Sequence, residues 1–318
     1  MAEIALEKKA KKAAEKTFES KSSMFSRRST GDIVFDSINT VVLIVATFIV
    51  LYPLLNMVAL SFNDGLDALR GGITIIPRKF TTKNYAEFLG KQTLPIALRV
   101  SVLRTVIGTL SSTFVTALLA YILSRKDFVF KKSLSLLYVA TMYVSGGLIP
   151  VFLVYQQLGM TNSFSVYILP GMVSAWNMLV LRTYMNGLPD SLAESAMMDG
   201  AGHLTIFFKI ILPLCMPVIA TVSLFAAVGH WNSWFDAMLY NNTATNLTTL
   251  QFELQKMLSS VTNQNSNAET MKNATGASVT PTTMRAAATV ITSLPIICLY
   301  PFLQRYFVAG LTIGGVKE

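Results

Sequence analysis

Long apolar runs, separated by short charged stretches, organise this sequence. Residues 37–63, 105–124, 133–181, 210–235 and 286–304 contain no Asp, Glu, Lys or Arg. A bilayer core about 30 Å thick needs about 20 apolar residues in a helix, so four of these runs predict one span each. The 49-residue run 133–181 is long enough for two spans, joined near "QQLGMTNS" (156–163), where Gly159, Asn162 and Ser163 supply turn chemistry. In hydrocarbon every backbone polar group needs an internal partner, which leaves helices as the form such runs take. The pattern predicts an all-α membrane protein with six transmembrane helices.

An even number of spans puts both termini on one side, and the distribution of Lys and Arg says which. With the termini inside, the inner segments 1–36, 124–132, 182–209 and 305–318 hold 16 basic residues, against 10 in the outer segments 64–104 and 236–285. The bias is sharpest in the short loop 124–133, "SRKDFVFKKS", which carries Arg125, Lys126, Lys131 and Lys132. This orientation gives a basic cytoplasmic segment 1–32, a six-span domain 33–310 and a cytoplasmic tail 311–318. The N-terminal segment is too long and too charged for a signal peptide, and the first span is too long for a signal core. The outer segment 240–283 is rich in Asn, Thr and Ser and reads as a polar loop.

Composition narrows the function. Hydrophobic residues make up 52% of the chain and charged residues 14%, where soluble domains average about 25% charged. Much of the net charge of +9 sits in one N-terminal block, where residues 1–28 hold eight Lys and Arg against four Glu, which suits an anionic membrane surface and not nucleic acid. Cys215 and Cys298 both lie in apolar runs and read as small buried hydrophobes. No zinc-type spacing is present and no metal site is expected. No G-x-x-x-x-G-K-[ST] phosphate loop occurs, so the chain is not expected to hydrolyse ATP or to be an enzyme. The charge-free runs hold no relay of ionisable residues, which counts against a secondary transporter. His203 and His230 have no ligand-spaced partners, which counts against a membrane enzyme.

One polar stretch interrupts the apolar pattern on the cytoplasmic side, between spans four and five, within residues 186–217. "LPDSLAESAMMDGAG" reads as a short helix with marked ends. Ser191 and Glu194 have the spacing of a capping box, Ala196, Met197 and Met198 favour helix, and Gly200 suits the left-handed residue that ends one. A second helix is expected from Gly202 or His203 into span five, bent at Pro213 and Pro217. A short helix presenting small and flexible side chains fits a groove on another protein.

The same residues resemble the EAA loop of ABC importer permeases. The match runs through Glu194, Ala196, Asp199, Gly200, Ala201, Ile210, Leu212 and Pro213, with Ser195 where the family pattern has Ala. Outside the loop, "IIPRKFTTKNYAEFL" (75–89) resembles the segment that follows the first span in carbohydrate-type permeases, and "SGGLIPVFLVYQQLGMTNSF" (145–164) and "GHWNSWFDAMLY" (229–240) are similar to the oligosaccharide branch of that class. The resemblance implies a permease of the bacterial cytoplasmic membrane, working by alternating access and paired with a second homologous permease. Two ATP-binding subunits that carry ATP and Mg, and an extracytoplasmic solute-binding protein, complete the implied assembly. It also implies that Ser191, Glu194, Ala196, Met197, Met198, Asp199, Gly200, Ala201 and Gly202 couple the chain to an ATP-binding subunit. Sugars are held by aromatic faces and by amide or hydroxyl partners, which makes Tyr143, Trp176, Asn177, His230, Trp231, Asn232 and Trp234 the candidates for a solute path. An importer for another solute class, such as an amino acid or phosphate, is the alternative.

Overall fold

The computed structural model describes residues 30–264 and 279–315; the basic segment 1–29 and part of the outer polar segment lie outside them. Among the described residues the regular elements are all helices, joined by turns and loops, and one isolated bridge pairs Asn63 with Phe80. The described residues fall into two units, divided after Asn56.

Helix α1 (Thr30–Ser61) is long and apolar enough to cross a bilayer. Its first unit ends at Asn56, and the last turn belongs to the second unit. There a buried polar clasp ties the chain to the start of the last helix. The Asn84 side-chain amide donates to the carbonyls of Ser61 (2.9 Å) and Asn63 (2.8 Å). Its carbonyl accepts from the Thr283 hydroxyl at 2.9 Å. Asn84 begins α2 (Lys83–Leu89).

Helix α3 (Thr93–Ser124) is the post around which the second unit packs. Its buried residues Leu94, Ala97, Ser101, Arg104, Gly108, Ser112 and Thr116 follow helical spacing. The helix starts twelve residues before the apolar run, so Arg99 and Arg104 lie inside it. The charge-free run 105–124 itself still holds no Asp, Glu, Lys or Arg, but the helix that contains it is longer than the run.

The run 133–181 does become two segments, joined by a turn in which Gly159 (φ 65°) and Asn162 (φ 52°) are left-handed. Each is itself broken. Helix α4 (Lys131–Tyr143) meets α5 (Leu148–Gln157) at 118°, around Gly147 with φ 83°. A 3₁₀ stretch, Phe164–Gly171, meets α6 (Ala175–Asn186) at 42°. Helix α7 (Ser191–Met198) follows, then α8 (His203–Leu214), which turns by 83° into α9 (Met216–Asn232). The run 210–235 is thus not one straight span. Pro213 and Pro217 donate no N–H, and around them the ladder loosens into a π turn at Phe207–Ile211 and breaks at Cys215.

Past α10 (Phe235–Tyr240), part of the outer polar segment forms α11 (Leu250–Gln264), where a loop was expected. Helix α12 (Pro281–Gly315) packs on α9, α11 and α2 through a run of small buried residues, Ala286, Ala287 and Ala288. Cys215 is buried as expected, while Cys298 on α12 is exposed. Among the described residues, three helices are long and apolar enough to cross a membrane, or up to six segments if each bent pair counts as one.

Candidate functional site

Two regions hold the chemistry. The first is helix α7. Pro189 and Asp190 supply its first carbonyls: Ala193 and Glu194 donate their amides to the Asp190 carbonyl at 3.0 and 3.1 Å. Asp190 therefore takes the cap position, with no side-chain cap bond, and Ser191 is already inside the helix. The expected capping box does not form. The Asp190 carboxylate instead pairs with Lys126 of the loop between α3 and α4. The Lys126 ammonium holds that carboxyl below its ordinary range.

The other end is built as the spacing predicted. Gly200 has φ 82°. Its amide donates to the Met197 carbonyl at 3.0 Å, and the Ala201 amide donates to the Ala196 carbonyl at 2.9 Å. This pair of bonds is a Schellman end, which satisfies carbonyls that the helix leaves without partners. Gly202 then caps α8 in extended conformation.

The two faces of α7 differ. Ala193 is buried in a cluster with Ala120 and Tyr121 of α3, Leu181 and Met185 of α6 and Phe207 of α8, and Ala196 and Ala201 pack against it. The opposite face is open, with Met198 88% exposed, while Met197, one turn on from Ala193, is 42% exposed. The helix is thus fixed by its alanines to three other helices and presents Met198 outward.

The second region is a cavity of about 540 Å³ between α3, α5, α6, α9 and α10. Arg104, Gly108 and Ser112 form one stripe of α3 at four-residue spacing; Arg104 and Ser112 line the cavity, and Gly108 backs His230. A Cβ at Gly108 would fall 2.6 Å from His230 Cε1 and Nε2, and one at Gly171 3.6 Å from Cε1. The two glycines make the notch that holds the imidazole at the cavity wall. Asn177 lines the cavity from the first turn of α6, its backbone amide bonded to the Ser174 hydroxyl at 3.3 Å. Tyr155, Tyr167 and Tyr240 add aromatic faces.

Arg104 is the group that sequence reading left out. Its guanidinium donates to both carboxylate oxygens of Asp236 and to the Ser233 carbonyl at 3.2 Å. It lies over the Tyr167 ring, 4.4 Å from the centroid. The signal was present: Leu94, Ala97 and Ser101 extend the helical stripe upstream into the charged segment.

Of the seven solute-path candidates, the structure brings Asn177 and His230 together. Trp231 turns the other way, is buried against Leu94 and Ala288, and donates its indole N–H to the Thr292 carbonyl at 2.9 Å. Asn232 accepts from Gln251 at 3.3 Å, outside the cavity. Trp234 packs beside Met160 and Phe252. Tyr143 and Trp176 are 83% and 61% exposed and line no part of it.

Comparison with known proteins places this architecture. The family model described as binding-protein-dependent transport system inner membrane component matches residues 22–313. The polygalacturonan/rhamnogalacturonan transport system permease protein YtcP of Bacillus subtilis (strain 168) is 36% identical over 286 residues, covering 89% of this chain and 98% of the relative. The arabinooligosaccharides transport system permease protein AraQ of Halalkalibacterium halodurans is 30% identical, covering 85% and 92%. Among solved structures, a chain of a bacterial ABC transporter involved in the import of the acidic polysaccharide alginate superimposes with a TM-score of 0.78 at 27% identity, over 88% of this chain and 98% of that one. With the matched region reaching from before the first apolar run to near the end of the last helix, the chain belongs to the family of binding-protein-dependent transport system inner membrane components.

Proposed function

We propose that this chain is the permease subunit of an ATP-driven importer that carries a saccharide across the cytoplasmic membrane by alternating access. The observation that carries the reading is α7, anchored by Ala193 to the ends of α3, α6 and α8 and exposing Met198 outward. A movement imposed on that helix reaches three spans through packed side chains. Such coupling requires two packings of the spans and a partner that binds one better than the other. The partner is an ATP-binding subunit, which holds ATP and Mg, while the chain itself holds no cofactor. Ser191, Glu194, Ala196, Met197, Met198, Asp199, Gly200, Ala201 and Gly202 form the contact element. A second homologous permease, a second ATP-binding subunit and an extracytoplasmic solute-binding protein complete the assembly.

The three bent pairs count as one span each in this reading, giving six, with both termini cytoplasmic. The cavity is this chain's share of the solute path, with Asn177 and His230 offering hydrogen bonds and Tyr155, Tyr167 and Tyr240 offering ring faces. The saccharide class is supported by relatives named for polygalacturonan, arabinooligosaccharides and alginate.

The test is reconstitution of the assembled complex in proteoliposomes. Labelled oligogalacturonides and arabino-oligosaccharides are expected to enter only when ATP and all subunits are supplied. Uptake by this chain alone, without an ATP-binding subunit, would overturn the reading.

A further inference from the structure

The charged pair in the cavity is asymmetric. Arg104 has a side chain 3% exposed, while that of Asp236 is 22% exposed. The guanidinium is held from three directions, by the Tyr167 ring below it, the Ser233 carbonyl beside it and α3 behind it. Among the described residues it is the one buried Lys or Arg, and its Nε has no hydrogen-bond partner. Asp236 instead sits in the first turn of the six-residue helix α10, just past the break that ends α9. Its Oδ1 accepts from the Ser233 hydroxyl at 3.0 Å and from the neighbouring Ala237 amide at 2.9 Å, both local bonds within its own elbow. A fixed cation thus faces an anion on a short segment at a chain break.

We propose that Arg104 is the specificity-determining residue of the solute path, and that it selects saccharides bearing a carboxylate, which takes the place of Asp236 on the guanidinium. The inference rests on the reading of this cavity as the solute path. The planar fork of a guanidinium matches a carboxylate with two parallel bonds, and one carboxylate fits it as well as another. While the pair stands, the cavity offers an anion no net charge, and an anion buried there without a partner is costly. Exchange keeps the guanidinium paired and lets Asp236 turn toward the solvent that already reaches it. A sugar hydroxyl, making single uncharged bonds, does not displace a bidentate carboxylate. Asn177 and His230 line the same cavity and offer hydrogen bonds to ring hydroxyls.

The experiment compares trigalacturonate with its fully methyl-esterified form, which has the same skeleton and no charge. Binding of each to the purified permease complex is measured by equilibrium dialysis, without solute-binding protein, alongside uptake by the complete assembly. The acid is expected to bind the native complex at least about tenfold tighter than the ester, the scale of a charge-assisted bidentate contact. Arg104→Gln should bring the affinity for the acid down to that for the ester, and Arg104→Lys should restore part of the preference. Asp236→Asn removes the competing anion and should tighten the acid further. Parallel loss of both forms in a fully assembled Arg104→Gln complex, or weaker acid binding in Asp236→Asn, would make the pair structural and overturn the inference. If the native assembly takes up acid and ester equally, selection by Arg104 fails and the saccharide reading stands. If it takes up neither form, nor arabinotriose, the saccharide reading fails as well.

Discussion

At Gly108 the absence of a side chain is what places His230. A Cβ there would fall 2.6 Å from the imidazole, well inside contact distance, so Gly108→Ala must push the ring out of its notch and into the cavity. Overpacking of this kind costs about 1–3 kcal/mol. Gly108→Ala is expected to lower saccharide uptake several-fold while the amount of inserted chain stays near normal, measured by uptake beside immunoblots of the membrane fraction. Asn84 is a different case, a fully buried amide with three partners across the clasp. Asn84→Ala strands the Ser61 and Asn63 carbonyls, and each unmet buried group costs about 1–3 kcal/mol. The expected result is a fall of several degrees in the unfolding temperature of the detergent-solubilised chain. In the same clasp the Asn63 amide, and beside it the Arg78 guanidinium, hold the Asp67 carboxyl below its ordinary value, against the burial that raises it. A carboxyl depressed in the folded state stabilises fully above its unfolded value and loses that contribution as pH falls through the folded value. Hydrogen exchange around Asn63–Lys79, corrected for its intrinsic pH dependence, should therefore accelerate below about pH 4. Asp67→Asn should remove that step.

Helix α7, eight residues long, is the element on which the proposed coupling rests. Its Schellman end depends on Gly200 at φ 82°, where a Cβ meets nothing within 4 Å. The cost of a side chain there is purely backbone strain, about 1–2 kcal/mol for an ordinary residue and more for a β-branched one. Gly200→Val is expected to reduce solute-stimulated ATP hydrolysis of the assembled complex severely, and Gly200→Ala only mildly, with insertion normal for both. Normal stimulation in Gly200→Val would make α7 a passive connector. This end of the helix was legible in the sequence because Gly200 answers to one local rule. The other end was not: Ser191 and Glu194 satisfied a spacing rule, but Pro189 and Asp190 start the helix earlier and Lys126, remote in sequence, takes the Asp190 carboxylate. The apolar runs located the span segments, yet not their bends, because hydropathy reports composition and an 83° turn depends on which carbonyls lose donors around Pro213 and Pro217. The cavity was legible only in part. Asn177 and His230 stood out by residue type, whereas Arg104 was hidden by taking its charge as the end of a span, and its partner Asp236 lies 132 positions away.

At the scale of the whole molecule, α3 packs against α7 near its own C-terminal end and carries Arg104 in its first half, so one helix connects the proposed coupling element to the polar cavity. The orientation this requires can be read with reporters. A fusion after Lys132 is expected to stay cytoplasmic and one after Thr243 to be exported; the reverse pattern would put α7 on the wrong face for an ATP-binding partner. The most direct measurement is photo-cross-linking from position 198 in native membranes containing the full assembly. With the photoreactive residue in place of the exposed Met198, the account predicts an adduct with the ATP-binding subunit whose yield changes when ATP is added. An adduct confined to the second permease, or none at all with the complex intact, would contradict it.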